Sequence, residues 1–131
     1  MLFRSLVTLE GVKAAATTLA EAQLVQDMID RVSQLPLYCL RPKTDTSGTP
    51  CGGDKTDVVT TDPGRALVTG DIADSGNFKP PILRDLAARA PYFHAGAAPD
   101  LQHLVTYYNL RFGFGLTAAQ QTDLINFLNA L

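Results

Sequence analysis

FKPPILRDLAARAPYFHAGAAPDLQHLVTYYN, residues 78–109, is the stretch on which the reading of this chain turns. Pro80 and Pro81 impose an extended approach, because a residue before proline avoids the helical region. Ile82 to Arg89 predicts a short helix, with Leu83 and Leu86 buried and Arg84 near its start; Pro91 ends it. A Pro-Tyr-Phe-His turn follows at 91–94. Asp100 has a side chain suited to capping the next helix, predicted over Leu101 to Asn109. Leu101, Leu104, Val105 and Tyr108 recur at helical spacing and share one face. His103 then falls on the opposite, solvated face, and Tyr107 on the flank.

Working outward, Gly113 and Gly115 mark a loop. Thr117 with Gln120 three residues on is a capping-box pattern. It predicts a last helix with Leu124, Ile125, Phe127, Leu128 and Leu131 on its buried side. Upstream, Asp62 is placed to cap and Pro63 to open one or two helical turns through Leu67, ended near Gly70. From Pro36 to about Asp62 no period persists, and Val58-Val59 predicts only a short extended piece. A loop of that length in a compact domain tends to be functional or to wrap a ligand. Residues 14–35 predict an amphipathic helix with Val25, Met28, Ile29 and Val32 on one stripe, stopped at Leu35-Pro36. Leu2, Phe3, Leu6, Leu9 and Val12 fit a further short helix, interrupted at Gly11. The sum is an all-α expectation: a single domain over 1–131, with N-terminal helices to 35, an irregular region at 36–77 and a helical remainder.

A chain of 131 residues accommodates one domain with a real core rather than two. A net charge of −2 argues against a nucleic-acid surface, which needs clustered Lys and Arg. No apolar run is long enough for a membrane-spanning helix. Arg4, Glu10 and Lys13 interrupt the apolar N-terminal residues, so the expectation is no cleavable export signal and the cytoplasm by default. Cys39 and Cys51 are too far apart for a two-residue metal or haem motif. In that compartment two free thiols are expected in preference to a disulfide, which needs an oxidising one.

Three segments carry a resemblance: TTDPGRALVTG, FKPPILRDLAARAPYFHAG and LTAAQQTDLINFLNAL. Together they resemble the C-terminal part of the bacterial di-haem cytochrome c peroxidase family, which includes the enzyme that matures methylamine dehydrogenase. The middle segment is the most specific and the closing helix the least. The resemblance implies an incomplete cytochrome c-like domain whose family core is 78–131, haem binding, electron transfer and a periplasmic setting. It places an axial ligand, Met or Tyr in the family, on Tyr108. It puts His94 near the haem edge and aligns Arg84 with the family's arginine between two haems. A phenolate oxygen is a known type of ligand to ferric iron. No Cys-x-x-Cys-His motif occurs and no counterpart of the family's first domain is present in these residues. The expectation is therefore a haem-free peroxidase-like domain and not a complete peroxidase. The alternative is a non-catalytic helical oligomerisation or interaction module from a truncated reading frame.

Each site residue also has a plainer reading. Tyr108 is otherwise a core tyrosine with a bonded hydroxyl. His94 is otherwise a structural histidine tying its turn, and Arg84 a partner for carbonyls, Asp85 or Asp100. His103 is a second candidate for the iron's other side. Without the motif helix, the stripe on the last helix lacks its usual cover. Either the N-terminal helices fold over it, or two copies bury it against each other; a homodimer is the preferred expectation, with a companion chain as the variant.

Overall fold

The computed structural model describes residues 4–44, 48–51 and 57–131. Helix α1 (Arg4–Ala14) leads to α2 (Leu19–Ser33). A hairpin-like pair, β1 (Tyr38–Leu40) and β2 (Val58–Thr60), follows, then a single turn α3 (Ala66–Thr69). Short 3-10 turns at Ile72–Asp74 and Leu86–Arg89 precede α4 (Leu101–Phe112) and α5 (Ala118–Asn129). Helices α1 and α2 pack on each other and on α4, while α5 packs on α4 and on the Leu86–Arg89 turn.

The core forms where these faces meet. Val25, Met28, Ile29 and Val32 of α2 are buried as their spacing predicts, together with Leu9 and Val12 of α1 and Leu101 of α4. Leu86, Tyr92, Ala97 and Ala98 complete the cluster from the irregular stretch before α4. Burying one such aliphatic side chain contributes about 1.5–3 kcal/mol. Leu2 and Phe3, expected on the first helix face, lie outside the described residues, as does the side chain of Leu6. Gly11 does not interrupt α1.

The all-α expectation is corrected. About half of the chain is helical, and β1 and β2 pair antiparallel with Tyr38 opposite Thr60 and Leu40 opposite Val58. The free-thiol expectation is corrected as well: Cys39 and Cys51 form a disulfide. The physical cause lies in contacts that periodicity does not reveal. Arg41 makes a two-pronged ion pair with Asp57, through Nε at 2.9 Å and Nη2 at 2.7 Å, and also donates to the Thr49 and Pro50 carbonyls. The Asp57 side chain is wholly buried. A buried carboxylate persists only when its acceptor sites are filled in this way. The disulfide and ion pair bring β-branched Val58 and Val59 alongside β1 and organise what reads as formless loop.

The long helix expected over 14–35 is shortened, beginning at Leu19 and ending at Ser33. Thr18 caps α2 by accepting from the Glu21 N–H, and Glu21 accepts in return from the Thr17 and Thr18 amides and the Thr17 hydroxyl. This reciprocal box starts a new helix where alanine spacing had implied continuity. The helix expected over Ile82 to Arg89 is cut to its second half. Only Leu86–Arg89 is helical, as a 3-10 element, because Asp85 adopts a left-handed backbone at φ 54. Leu86 is buried, but Leu83 and Ile82 are largely exposed.

Candidate functional site

The turn at 91–98 positions the candidate residues. Tyr92 and Ala98 form an antiparallel bridge through both of their amides, at 2.6 and 3.3 Å. Gly96 N–H closes onto the Phe93 carbonyl, and the Tyr92 hydroxyl donates to the buried Leu86 carbonyl at 2.9 Å. Burial, together with the nearby Asp100, raises the Tyr92 pKa, so it stays a neutral donor. A turn so tied presents Phe93 and His94 in fixed directions.

His94 Nδ1 lies 2.8 Å from Asp62 Oδ2 and 3.0 Å from Oδ1. Asp62 also accepts from the Gly64 amide at 3.2 Å. Asp62 is thus an Asx-turn residue and the partner of a histidine 32 positions away, not the helix cap expected of it. The imidazole rests on Phe78, with ring centroids 4.8 Å apart. A carboxylate on one ring nitrogen fixes the tautomer and leaves Nε2 as the outward-facing, electron-rich atom.

Two hollows flank this turn. The larger, of about 780 Å³, is lined by Pro81, Ile82, Leu83, Leu104, Tyr108, Phe114, Leu124 and Leu128, among others, and by His94. That size lies inside the range of ordinary cofactor pockets. The smaller, of about 380 Å³, lies over Met28, Val32, Asp62 and Tyr107. Phe78, Phe93 and His94 line both. Tyr108 is half exposed rather than buried, and its ring belongs to a run of aromatic contacts: Phe93 at 5.9 Å, Tyr107 at 5.6 Å and Phe112 at 5.7 Å.

The structure therefore brings Tyr108 and His94 to one cavity. It does not bring Arg84, which is exposed, lines neither hollow, and has no side-chain partner among the described residues. Nor does it bring His103. The solvated surface position expected for His103 is corrected: the side chain is buried between α4 and α2, with Nδ1 2.7 Å from Asp100 and Nε2 3.7 Å from Asp27. Position 103 sits one step around the helix from the apolar stripe, and α2 closes over it. Its imidazole faces the N-terminal helices, not the large cavity.

Sequence reasoning missed the Asp62–His94 pair and the buried Arg41–Asp57 pair. Both join residues too distant in sequence for any local pattern to register. Among the described residues, Cys39, Cys51 and Asp57 are the one group whose atoms cluster closely enough for a metal, and there both sulfurs are already bonded to each other.

The residues can be tested against haem on this geometry. Neither cysteine lines the large cavity, so no thioether attachment is available there. The wall is mostly apolar, with Lys79 and Arg89 among its residues, and offers a phenol and an imidazole anchored by a carboxylate. Those donors suit ferric iron, and the lining suits a porphyrin face. The residues fit a haem held without covalent bonds.

Over about half its length the chain is similar to known cytochrome-c peroxidases. It is 36% identical over 78 residues to the cytochrome-c peroxidase IdrP2 of Denitromonas iodatirespirans, covering 54% of this chain and 21% of that protein. It is 36% identical over 81 residues to the cytochrome-c peroxidase IdrP1 of Pseudomonas sp. (strain SCT), covering 53% of this chain and 21% of that protein. It is 46% identical over 39 residues to the methylamine utilization protein MauG of Paracoccus denitrificans (strain Pd 1222), covering 30% of this chain and 10% of that protein. The chain thus spans about a fifth of the length of the cytochrome-c peroxidases it matches. No protein-family model matches the chain, and no solved structure matches it. The resemblance to the di-haem peroxidase family stands as a resemblance of part of that family's length.

Proposed function

We propose that this chain is a haem-binding, electron-transfer-type module related to cytochrome-c peroxidases, holding haem without thioether bonds. The observation that carries the reading is an apolar cavity of about 780 Å³ whose wall includes Tyr108 and the Asp62-anchored His94. In this reading Tyr108 and His94 are the residues that hold the iron. Haem bound there supplies reversible one-electron exchange. The chain's own residues do the rest. Asp62 orients the His94 ring. Leu104, Leu124 and Leu128 exclude water from the cavity wall. The run from Tyr108 through Phe112 to Phe114, with centroids 5.7 Å apart at each step, extends the aromatic surface outward. The Cys39–Cys51 disulfide supports an oxidising compartment over the cytoplasm.

Haem titration followed by absorption tests this. A Soret band saturating near one equivalent, and weakened or shifted in Tyr108→Phe, is expected. A flat titration of the wild-type protein would remove the reading.

A second reading is favoured by one feature, the apolar surface of α5 and its neighbours. Leu124, Phe127 and Leu131 remain 37%, 59% and 40% exposed, beside Phe112 and Phe114. The N-terminal helices pack on α4, so this face is open to a second copy or a companion chain. Light scattering is expected to report a homodimer, and the charged variant Phe127→Glu a monomer. A wild-type monomer at micromolar concentration would remove this reading.

A further inference from the structure

The large cavity is not uniformly apolar. Two of its lining residues are basic, Lys79 and Arg89, and no Asp or Glu lines it. Neither cation forms an ion pair among the described residues. Arg89 Nη1 donates to the Ile82 carbonyl at 3.1 Å, which ties the guanidinium across the 82–89 loop, and its other N–H groups have no partner among the described residues. Lys79 is exposed on the Pro80-Pro81 side of the same cavity. Arg41 and Arg65, by contrast, are ion-paired to Asp57 and Asp74.

An apolar pocket with unopposed cations among its lining residues is complementary to an apolar body carrying a carboxylate head. We infer that the cavity recognises amphiphilic carboxylates, with Lys79 and Arg89 holding the acid group while the Leu, Ile and Phe side chains cover the apolar part. The inference rests on the same cavity as the proposed haem site and deepens it: affinity comes from the acid groups as well as from any iron bond. Haem propionates and the head of a long-chain fatty acid share this chemistry, and either can be its source. A guanidinium fork pairs with both oxygens of a carboxylate, whereas the lysine ammonium acts as a point charge.

Four probes and one variant separate the outcomes. The probes are haemin, metal-free protoporphyrin IX, its dimethyl ester and hexadecanoate, each titrated by fluorescence or calorimetry. The variant is Lys79→Gln with Arg89→Gln, both at exposed positions, so the fold is expected to persist, as circular dichroism will verify. Protoporphyrin IX is expected to bind the wild-type chain about five- to tenfold more tightly than the ester, the range for two rim charges. The variant is expected to abolish that difference while binding the ester unchanged. Hexadecanoate binding that weakens in the variant supports the inference with a fatty acid as source. Its failure to bind, with protoporphyrin IX still sensitive to the two cations, supports it with a porphyrin as source. Equal binding of acid and ester, or haemin and acid binding equally to both proteins, overturns the inference while leaving the haem reading intact. No binding of any probe overturns both.

Discussion

Replacing Cys39 and Cys51 together with serine tests how the non-helical part of this fold is held. The bond joins residues 12 positions apart. On the chain-entropy relation, closing a loop of that size in the unfolded state is worth about 3 kcal/mol at 25 °C. With an unfolding entropy near 2.1 cal/mol/K per residue, a 131-residue chain loses about 10 °C of thermal midpoint for that amount. The perturbation is local, because neither sulfur lines either cavity. Urea unfolding of the wild-type and double-serine proteins, followed by far-ultraviolet circular dichroism, should show the loss as a lower midpoint, with a slope that rises as the unlinked denatured chain exposes more surface. Haem titration should be unaltered, since no thioether is involved. A loss below about 1 kcal/mol would refute the constraint as a stabilising device. Two thiols titrating in the unreduced native protein would refute the bond itself.

Other substitutions probe the elements around the site. Met28→Ala empties a fully buried position and should cost about 2–5 kcal/mol in the same urea assay. Gly64 has φ 58, and a Cβ there would meet the Asn77 carbonyl oxygen at 2.8 Å and the Phe78 ring at 2.9 Å. Gly64→Ala should therefore cost about 1–3 kcal/mol and shift the His94 ring resonances, because Phe78 stacks on that ring. Asp100→Ala should cost about 1 kcal/mol by removing the cap of α4. Burial opposes ionisation of Asp100, but hydrogen bonds from the His103 ring and amide outweigh it and hold the carboxyl below its usual value. A depressed carboxylate stabilises the fold above its unfolded pKa, and the contribution drains as pH falls through the folded value. Wild-type stability should then decline more steeply than that of Asp100→Ala below about pH 4, as measured by urea midpoints across pH.

What was legible in the sequence divides by range. The buried stripe of α2, the Asp100 cap and the Thr117–Gln120 box all depend on residues within one or two helical turns, and each is present. The 36–62 region was opaque because its order comes from Arg41 meeting Asp57 and Cys39 meeting Cys51. Polar and turn-forming residues there hide a ladder that only long-range contacts close. The break at Thr18 was legible in principle: Thr-x-x-Glu precedes α2, but the alanines on both sides suggested one continuous helix. At the candidate site, family likeness pointed to Tyr108 and His94, which both line one cavity, whereas the contact of Asp62 with His94 enters only through the fold. His103 was misplaced because a helix face called polar from one side is covered by α2 on the other.

Three rings, Phe78, Phe93 and His94, form a common partition between the two hollows. Phe78 and His94 are exposed, so this partition is a surface feature and not packed interior. A guest that turned one of these rings in one hollow would change the lining of the other.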